Sequence, residues 1–236
     1  MLKAVLFDFN GVIINDEAIH RRLVDELLLQ ENLRPMTLGE YQQFALGRSD
    51  RAALPDLWAY RGRSISEDYL TKLIHRKALG YRQALRQLDP LPFYPGLQAF
   101  LERLSLRPWE RGLVTGAIGS EVDYVLERGG LLSYFSVRVT GEDVAQSKPQ
   151  PDGYLLALAQ LQQRQPDLLP QECLAIEDSW AGLQAAKAAG MRVLGLAHTY
   201  PYHFMQRWAN WAVDSFTEID LDRIEVVMAR RSLAEA

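Results

Sequence analysis

Short apolar runs alternate with longer helix-like stretches along most of the chain. The runs are three or four residues long, and charged or turn-forming residues bound each of them. Such runs are typical of strands that are buried on both faces of a parallel sheet. The predicted strands cover residues 4–7, 112–114, 136–139, 174–176, 193–196 and 211–213.

Helical periodicity fills most of the intervals between these runs. The predicted helices cover residues 96–106, 119–129, 152–163 and 180–190, with a further amphipathic helix after Glu218. Gly190 is the expected stop signal of the fourth helix, because glycine tolerates the backbone that ends a helix. Strands that alternate with helices predict an α/β fold, in which helices cover both faces of a parallel sheet.

Residues 16–88 break this alternation. The segment has no strand-like run, and its apolar residues recur at helical spacing, as Leu23 and Leu27 do. We therefore expect an all-helical domain inserted after the first strand. The Pro-rich stretch 89–95 at its exit is expected to act as a stiff hinge. The predicted organisation is a core of residues 1–15 and 89–236 that carries a helical domain of residues 16–88.

Composition narrows the class of protein but not its chemistry. The 236 residues include 26 Lys+Arg and 30 Asp+Glu, a net charge of −4, which argues against broad nucleic-acid binding. Cys173 is the sole cysteine, so neither an internal disulfide nor a cysteine-cluster metal site is expected. No apolar run reaches membrane-spanning length, and Asp8 comes too early for a secretory signal. We expect a cytoplasmic monomer without membrane or nucleic-acid partners.

Polar residues follow the predicted strands directly. Asp8 and Asn10 follow the first strand, Thr115 the second, and the pair Glu177-Asp178 the fourth. Ligands of open parallel sheets bind outside the carboxyl ends of the strands. These side chains are therefore expected to meet in one crevice.

Carboxylates in such a crevice suit a divalent metal. Asp8, Glu177 and Asp178 offer the hard oxygen ligands that Mg²⁺ prefers. A carboxylate that faces a metal-bound phosphoryl group can also act as a nucleophile, and Asp8 is the candidate. Alternatively, Glu177 and Asp178 only begin the next helix, where acidic residues are favoured, and Asp8 is a capping carboxylate.

A second set of groups suits a phosphate dianion. Thr115, the backbone N–H groups of Gly116 and Ala117, and Lys148 from a loop after the third strand are the candidates. Lys148 would also neutralise charge that Asp8 and the phosphate share. The other interpretations are that Thr115 is the N-cap of the next helix and that Lys148 is a surface lysine.

Four motifs in order resemble those of the haloacid dehalogenase superfamily of phosphohydrolases, in its helical-cap branch of β-phosphoglucomutases and phosphatases. The motifs are residues 8–13 (DFNGVI), 115–117 (TGA), 148–149 (KP) and 177–182 (EDSWAG). The resemblance covers nearly the whole chain. It implies a Rossmann-like core, an inserted helical cap domain and Mg²⁺ between the two.

Asn10 departs from the family pattern. The family's hydrolases usually have a second Asp there, whose backbone carbonyl binds Mg²⁺ and whose side chain moves protons for the leaving group and the water. Asn10 keeps the carbonyl, so the resemblance still implies a metal ligand, but its amide cannot shuttle a proton at neutral pH. General acid–base catalysis contributes about 10²- to 10⁴-fold. We therefore expect weak turnover of sugar phosphates and smaller losses with aryl or acyl phosphates.

The resemblance also points to residues of the cap. His20 matches a family histidine near the cleft, and Arg48 and Arg51 lie in a segment that resembles the family's specificity loop, where an arginine would contact a second phosphate or a carboxylate. Each of the three is otherwise a surface residue. Lys72 and Lys77 are expected to be solvated helix lysines, rather than a cleft lysine that forms a Schiff base.

The predicted function is Mg²⁺-dependent hydrolysis of a small phosphorylated metabolite through an aspartyl-phosphate at Asp8. Sugar-phosphate mutase activity is the enzymatic alternative, although it needs the acid–base group that Asn10 lacks. The non-enzymatic alternative is a phosphate-ligand sensor of low activity. Deamidation of Asn10, which precedes Gly11, would restore the carboxylate.

Overall fold

Six parallel strands form a single sheet in the computed structural model, which describes the backbone of residues 1–234 and the side chains of residues 1–229. The order across the sheet is β3-β2-β1-β4-β5-β6, so the first strand lies at the centre. The strands are β1 Ala4–Phe7, β2 Glu110–Val114, β3 Val137–Val139, β4 Cys173–Glu177, β5 Arg192–Leu196 and β6 Trp211–Val213. This is the predicted Rossmann-like architecture.

Core helices cover both faces of the sheet. They are α5 Leu97–Ser105, α6 Gly119–Arg128, α7 Asp152–Gln162, α8 Trp180–Ala188, α9 Tyr202–Trp208 and α10 Leu221–Ala234. The alternation of side chains along β1 separates the two layers. Val5 and Phe7 pack with residues of α5, α6 and α10, whereas Ala4 and Leu6 pack with residues of α7, α8 and α9.

Aromatic packing fixes the first of these layers. Phe100 of α5 is 1% exposed, and its ring centroid lies 6.0 Å from that of Phe7 and 5.2 Å from that of Phe216. The contacts tie the central strand to α5 and to the turn before α10.

Four helices form the inserted cap between β1 and α5. They are α1 Glu17–Gln30, α2 Leu38–Phe44, α3 Asp50–Tyr60 and α4 Glu67–Arg86. They share an apolar core that is separate from the sheet layers, with Leu28, Leu54, Trp58 and Leu73 at its centre. The cap thus has a core of its own, although Leu23, Tyr81 and Leu85 also pack with the first sheet layer.

The two chain segments that connect the cap to the core are paired with each other. Ile14 and Phe93 form an antiparallel bridge, and the N–H of Asn15 donates to the carbonyl oxygen of Pro92 at 2.8 Å. We propose domain boundaries at residues 16 and 88, as the sequence pattern indicates, because this paired hinge separates α1–α4 from the sheet. The predicted core segment runs to residue 236, and residues 235 and 236 lie outside the part of the chain that the structure describes.

The predicted strands and helices are present, with ends that shift by at most two residues. The helix α9 was missed, because its aromatic residues, such as Tyr202, Phe204 and Trp208, have low helix propensity. Over residues 1–234, no helix combines the length and apolarity that a membrane crossing requires.

The aromatic layer gives a stability prediction. Phe100→Ala should lower the free energy of unfolding by about 3–5 kcal/mol, because it leaves a cavity between Phe7 and Phe216. Urea unfolding followed by circular dichroism measures the change. Leu106→Ala, at the end of the same helix and 84% exposed, is the control and should stay within about 0.5 kcal/mol of the parent. Equal losses in the two variants would contradict the packing described here.

Candidate active site

Sheet register brings the predicted site residues to one edge. Phe7 pairs with Leu113 of β2 and with Ile176 of β4. Asp8 and Glu177 directly follow two of these paired residues, so both emerge at the carboxyl ends of the strands, as predicted. The N–H of Asp8 continues the ladder by donating to the carbonyl of Ile176 at 3.0 Å.

Lys148 joins two of the carboxylates. Its Nζ lies 2.8 Å from Asp8 Oδ1 and 2.6 Å from Glu177 Oε1, and all three side chains are buried. Burial alone would lower the pKa of Lys148, but the charges of Asp8 and Glu177 raise it above its usual value. The ammonium is therefore retained, and Lys148 is not a surface lysine.

Asp8 has to share this cation. Burial and then the negative charge of Glu177 raise the pKa of Asp8 to about 7, against the opposing effect of Lys148. The negative charge of the Asp8 carboxylate is therefore only partly balanced within the protein, and a further cation would balance it.

Glu177 is engaged on both of its oxygens. Its Oε1 also accepts from the Tyr154 hydroxyl at 2.6 Å, and its Oε2 accepts from Ser179 Oγ at 3.3 Å. A Cβ on Gly182 would collide with this carboxylate. Tyr154 lies within the helical pattern of α7, and nothing in that pattern indicates a contact with Glu177. These contacts make Glu177 the anchor of Lys148, whatever else it binds.

Three carboxylates meet the requirement for a divalent cation. One oxygen from each of Asp8, Glu177 and Asp178 lies within 4.8 Å of the other two. Asp178 Oδ1 is buried and has no hydrogen-bond partner within the described part of the chain. Burial and then the charges of Asp8 and Glu177 raise the pKa of Asp178. Hard oxygen donors with uncompensated charge fit Mg²⁺.

The loop after β2 supplies the predicted phosphate-binding groups. Thr115 continues from β2 through an N–H bond to the carbonyl of Val139, and its Oγ1 accepts from the N–H of Ala117 at 3.0 Å. The helix α6 starts only at Gly119, with Ile118 at its N-cap. The alternative that Thr115 is the N-cap of this helix is therefore wrong.

Asn10 is held by residues at the start of the cap. Its Nδ2 donates to Asp16 Oδ2 at 2.9 Å and lies 3.0 Å from His20 Nε2. Asp16 Oδ2 also accepts from the Tyr81 hydroxyl. An amide supplies the donor that Asp16 accepts, whereas an ionised carboxylate at residue 10 would face a second carboxylate. This pairing with Asp16 was not anticipated from the sequence.

The expectation for Lys77 was wrong. Its side chain is 4% exposed, and its Nζ donates to Asp50 Oδ2 at 2.7 Å and lies 2.8 Å from His20 Nδ1. Burial lowers the pKa of Lys77, but the nearby carboxylates, Asp50 foremost, raise it above its usual value. Helical periodicity alone does not indicate that the face of α4 that carries Lys77 packs against the core. Lys72 is exposed, as predicted.

The two arginines of the cap loop behave differently. Arg48 lines the cavity between cap and core, but its guanidinium already pairs with Asp56 at 2.6 Å and donates to the carbonyl of Phe44. Arg51 pairs with Glu67 on the surface. The predicted contact of an arginine with a second phosphate thus stays a prediction, and Arg48 is the candidate that reaches this cavity.

The cap sits directly on the strand-end loops. The N–H of Ser49 donates to Ser147 Oγ at 2.8 Å, and a Cβ on Gly116 would lie 2.8 Å from the nitrogen of Ser49. A small cavity remains between the cap and the core. Access to the strand-end residues therefore depends on the position of the cap.

The wall of this cavity contains most of the predicted site residues. They are Asp8, Asn10, Thr115, Gly116, Ala117 and Asp178 of the core and His20 and Arg48 of the cap. Among the described residues, Glu17, Tyr41, Asp50, Lys77 and Glu121 complete the polar part of the wall. Lys148 joins this set through its ion pair with Asp8, and Glu177 pairs with Lys148 in turn.

Comparison with known proteins identifies the class. The family model of haloacid dehalogenase-like hydrolases matches residues 2–190. The chain therefore belongs to the haloacid dehalogenase-like hydrolase family.

The names of similar proteins refer to reactions of phosphorylated compounds. The chain is 29% identical over 202 residues to β-phosphoglucomutase of Bacillus subtilis, and the aligned region covers 85% of each chain. It is 28% identical over 204 residues to the phosphorylated carbohydrates phosphatase of Thermotoga maritima, over 84% of this chain and 87% of that one. The similarity thus includes both a mutase and a phosphatase.

A solved structure has the same fold over the whole chain. A β-phosphoglucomutase from Clostridium difficile superposes with a TM-score of 0.85 at 21% identity and covers 99% of this chain and 100% of its own. The likeness supports the Rossmann-like core with its helical cap.

The contact between cap and core gives a second prediction. Gly116→Ala should push the backbone of Ser49 away, so the Ser49 N–H should lose its bond to Ser147 and exchange faster with deuterium. Peptide-level hydrogen–deuterium exchange over residues 47–50 measures this. Gly39→Ala, whose added Cβ would meet no atom within 4 Å, is the control. Unchanged exchange in Gly116→Ala would contradict the closed contact.

Proposed function

We propose that this protein is a Mg²⁺-dependent phosphohydrolase that acts on a small phosphorylated metabolite through an aspartyl-phosphate intermediate at Asp8. The observation that carries the proposal is the buried ammonium of Lys148, placed 2.8 Å from Asp8, which in turn lines the cavity between cap and core. Family membership and the names of the relatives support phosphoryl chemistry.

The first step breaks the ester bond. A carboxylate oxygen of Asp8 attacks phosphorus, the P–O bond to the leaving group breaks, and the leaving oxygen takes a proton from solvent water, because Asn10 has none to give. The water that later hydrolyses the aspartyl-phosphate returns a proton to solvent. Lys148 stabilises the charge that Asp8 and the phosphoryl group share. Water then attacks the aspartyl-phosphate, which releases inorganic phosphate and restores the Asp8 carboxylate. The Thr115 hydroxyl and the N–H of Gly116 hold the phosphoryl oxygens, and the N–H of Ala117 joins them when it leaves Thr115 Oγ1.

A metal site follows from the same residues. Asp8, Asp178 and the backbone carbonyl of Asn10 would hold the ion, and Glu177 lies close enough to join them. A bound Mg²⁺ supplies positive charge that positions a phosphoryl group and shields it from the attacking carboxylate. The unpartnered Asp178 Oδ1 supports the assignment.

Proton transfer is the weak point of this site. The amide of Asn10 donates to Asp16 and has no proton to exchange with a leaving group at neutral pH. Alkyl phosphates need such a proton more than aryl or acyl phosphates do, because their leaving groups are more basic. We therefore expect the protein to favour esters of good leaving groups.

The similarity to β-phosphoglucomutase favours a mutase as the second candidate. A mutase must protonate and deprotonate sugar hydroxyls in turn, so it depends more strongly on the residue that Asn10 replaces. Hydrolysis is the better-supported activity on these grounds. The cytoplasmic location stays a prediction from composition, and the monomeric state stays a default expectation.

Two substitutions test the roles of Asp8 and Asn10. Asp8→Ala should abolish hydrolysis of phenyl phosphate, because the nucleophile is lost. Asn10→Asp should raise kcat/KM for hexose phosphates by about 10²-fold, since the introduced carboxyl would share a proton with Asp16. Steady-state phosphate release with Mg²⁺ measures both. Gln98→Glu, on the exposed face of α5, is the control and should match the parent.

The outcomes separate the alternatives. Activity that survives in Asp8→Ala would show that the nucleophile assignment is wrong. No gain in Asn10→Asp would contradict the acid–base argument. Lack of turnover in the parent and in Asn10→Asp, with Mg²⁺-dependent phosphate binding retained, would favour the sensor. Transfer of phosphate between two positions of one sugar would favour the mutase.

Metal binding is testable without turnover. Mg²⁺ should raise Tm, because it binds the folded state and relieves the carboxylate charge. Asp178→Asn should abolish this rise, whereas Asp167→Asn, an exposed control, should retain it. Thermal unfolding with and without millimolar Mg²⁺ is the measurement, and a Tm that does not respond to Mg²⁺ in the parent would refute the site.

A further inference from the structure

The cavity contains a carboxyl that the proposed reaction does not use. Glu121 lies in the first turn of α6, the helix that follows the phosphate-binding loop. Its side chain is 2% exposed, and the residue lines the cavity between cap and core. Neither the motifs nor the periodicity singled it out, because a glutamate at the start of a helix is ordinary.

Glu121 has unsatisfied hydrogen-bonding capacity. Its Oε1 is buried and has no hydrogen-bond partner in the part of the chain that the structure describes. Most buried polar atoms have a partner, because leaving one without a donor is costly. A carboxylate oxygen can only accept, so the missing partner is a donor, which a ligand in the cavity can supply.

The nearest cationic groups already have other contacts. Lys77 Nζ donates to Asp50 and lies against His20 Nδ1, while the other ring nitrogen of His20 faces Asn10. Burial raises the pKa of Glu121, and the charges of Lys77 and His20 oppose this effect. These neighbours favour the charged carboxylate, but no hydrogen bond joins either of them to Oε1.

Charge at this end of the cavity disfavours an anionic leaving group. Glu17, Asp50 and Glu121 all contribute carboxyls to the wall. Of the cations in the wall, Lys77 is held by Asp50 and His20 lies between Lys77 and Asp16, whereas Arg48 pairs with Asp56 and keeps a buried Nε without a partner among the described residues. At Glu121 itself no cation donates to Oε1, so an anion placed there would face a carboxyl, whereas a hydroxyl would meet an acceptor.

We propose that Glu121 is a specificity-determining residue: its carboxyl accepts a hydrogen bond from a hydroxyl of the leaving group, and it selects esters of hydroxylated alcohols over esters whose leaving group carries an anion. The proposal rests on the proposed function, since the phosphoryl end is assigned to Asp8, Thr115 and Lys148. A site built to bond a hydroxyl discriminates strongly against ligands that lack one, because its buried acceptor is then unpaired.

The test measures binding in an inactive background. Asp8→Asn protein with Mg²⁺ is titrated calorimetrically with a panel of hexose and pentose monophosphates and with inorganic phosphate, which has no leaving group. Adding Glu121→Met keeps the length of the side chain and removes both acceptors. It should weaken the tightest ester of the panel about 10- to 100-fold and change inorganic phosphate less than twofold.

The matched control is Glu127→Met, the same substitution at an exposed position of the same helix, which should change neither Kd. Three results would each overturn the proposal. Glu121→Met could weaken the ester and inorganic phosphate equally, or it could weaken neither. The Asp8→Asn protein could also bind no panel ester more tightly than inorganic phosphate. Phosphoglycolate provides the anionic comparison. It should bind the parent less tightly than the panel ester and should gain from Glu121→Met; the reverse order would also overturn the proposal.

Two further readouts separate this proposal from other failures. If Glu121 instead held the cap through Lys77, Glu121→Met would lower Tm, whereas loss of an unpartnered buried acceptor should leave Tm unchanged or raise it. Failure of the proposed function would appear as phenyl phosphate hydrolysis that is absent from the parent or persists in Asp8→Ala. Binding in the Asp8→Asn background does not depend on that result.

Discussion

One buried ammonium group organises the strand-end site. Lys148 lies between Asp8 and Glu177, and without it two carboxylates would be buried with no cation between them, which is strongly destabilising. Glu177 in turn is fixed by Tyr154 from the layer below the sheet. Asp8 is thus positioned through Lys148, a loop residue, and through Glu177 and Tyr154, so the geometry of the site depends on how this loop is held against the packed core.

The cap adds a second polar network that meets the first at Asn10. Asp16, His20 and Lys77 connect the amide of Asn10 to the helices of the cap. Because cap residues hold the side chain of Asn10, the orientation of this core residue depends on the position of the cap. This network explains how an amide fits at Asn10, since Asp16 requires a donor.

The sequence determined the fold more fully than the site. Ordered apolar runs and the motifs around Asp8, Lys148 and Glu177 sufficed for the sheet and its cap, because periodicity and strand-end chemistry are local. The sequence pattern does not indicate Tyr154 or Glu121, and it wrongly predicts a solvated Lys77, because the importance of all three comes from tertiary contacts. Each lies within or at the start of an ordinary helix, and only packing turns it toward a charge. The sequence pattern does not predict α9, because its aromatic residues lower the helix propensity of that segment.

The paired hinge has a consequence for how closure is sensed. Asn15 is tied to Pro92 on the core side of the hinge, and the next residue is Asp16, which contacts Asn10. Rotation of the cap about this point displaces Asp16 and His20 together, while Asn10 stays with the sheet. The amide of Asn10 therefore experiences a different local field in open and closed molecules, and its side-chain resonance would act as a built-in reporter of the position of the cap.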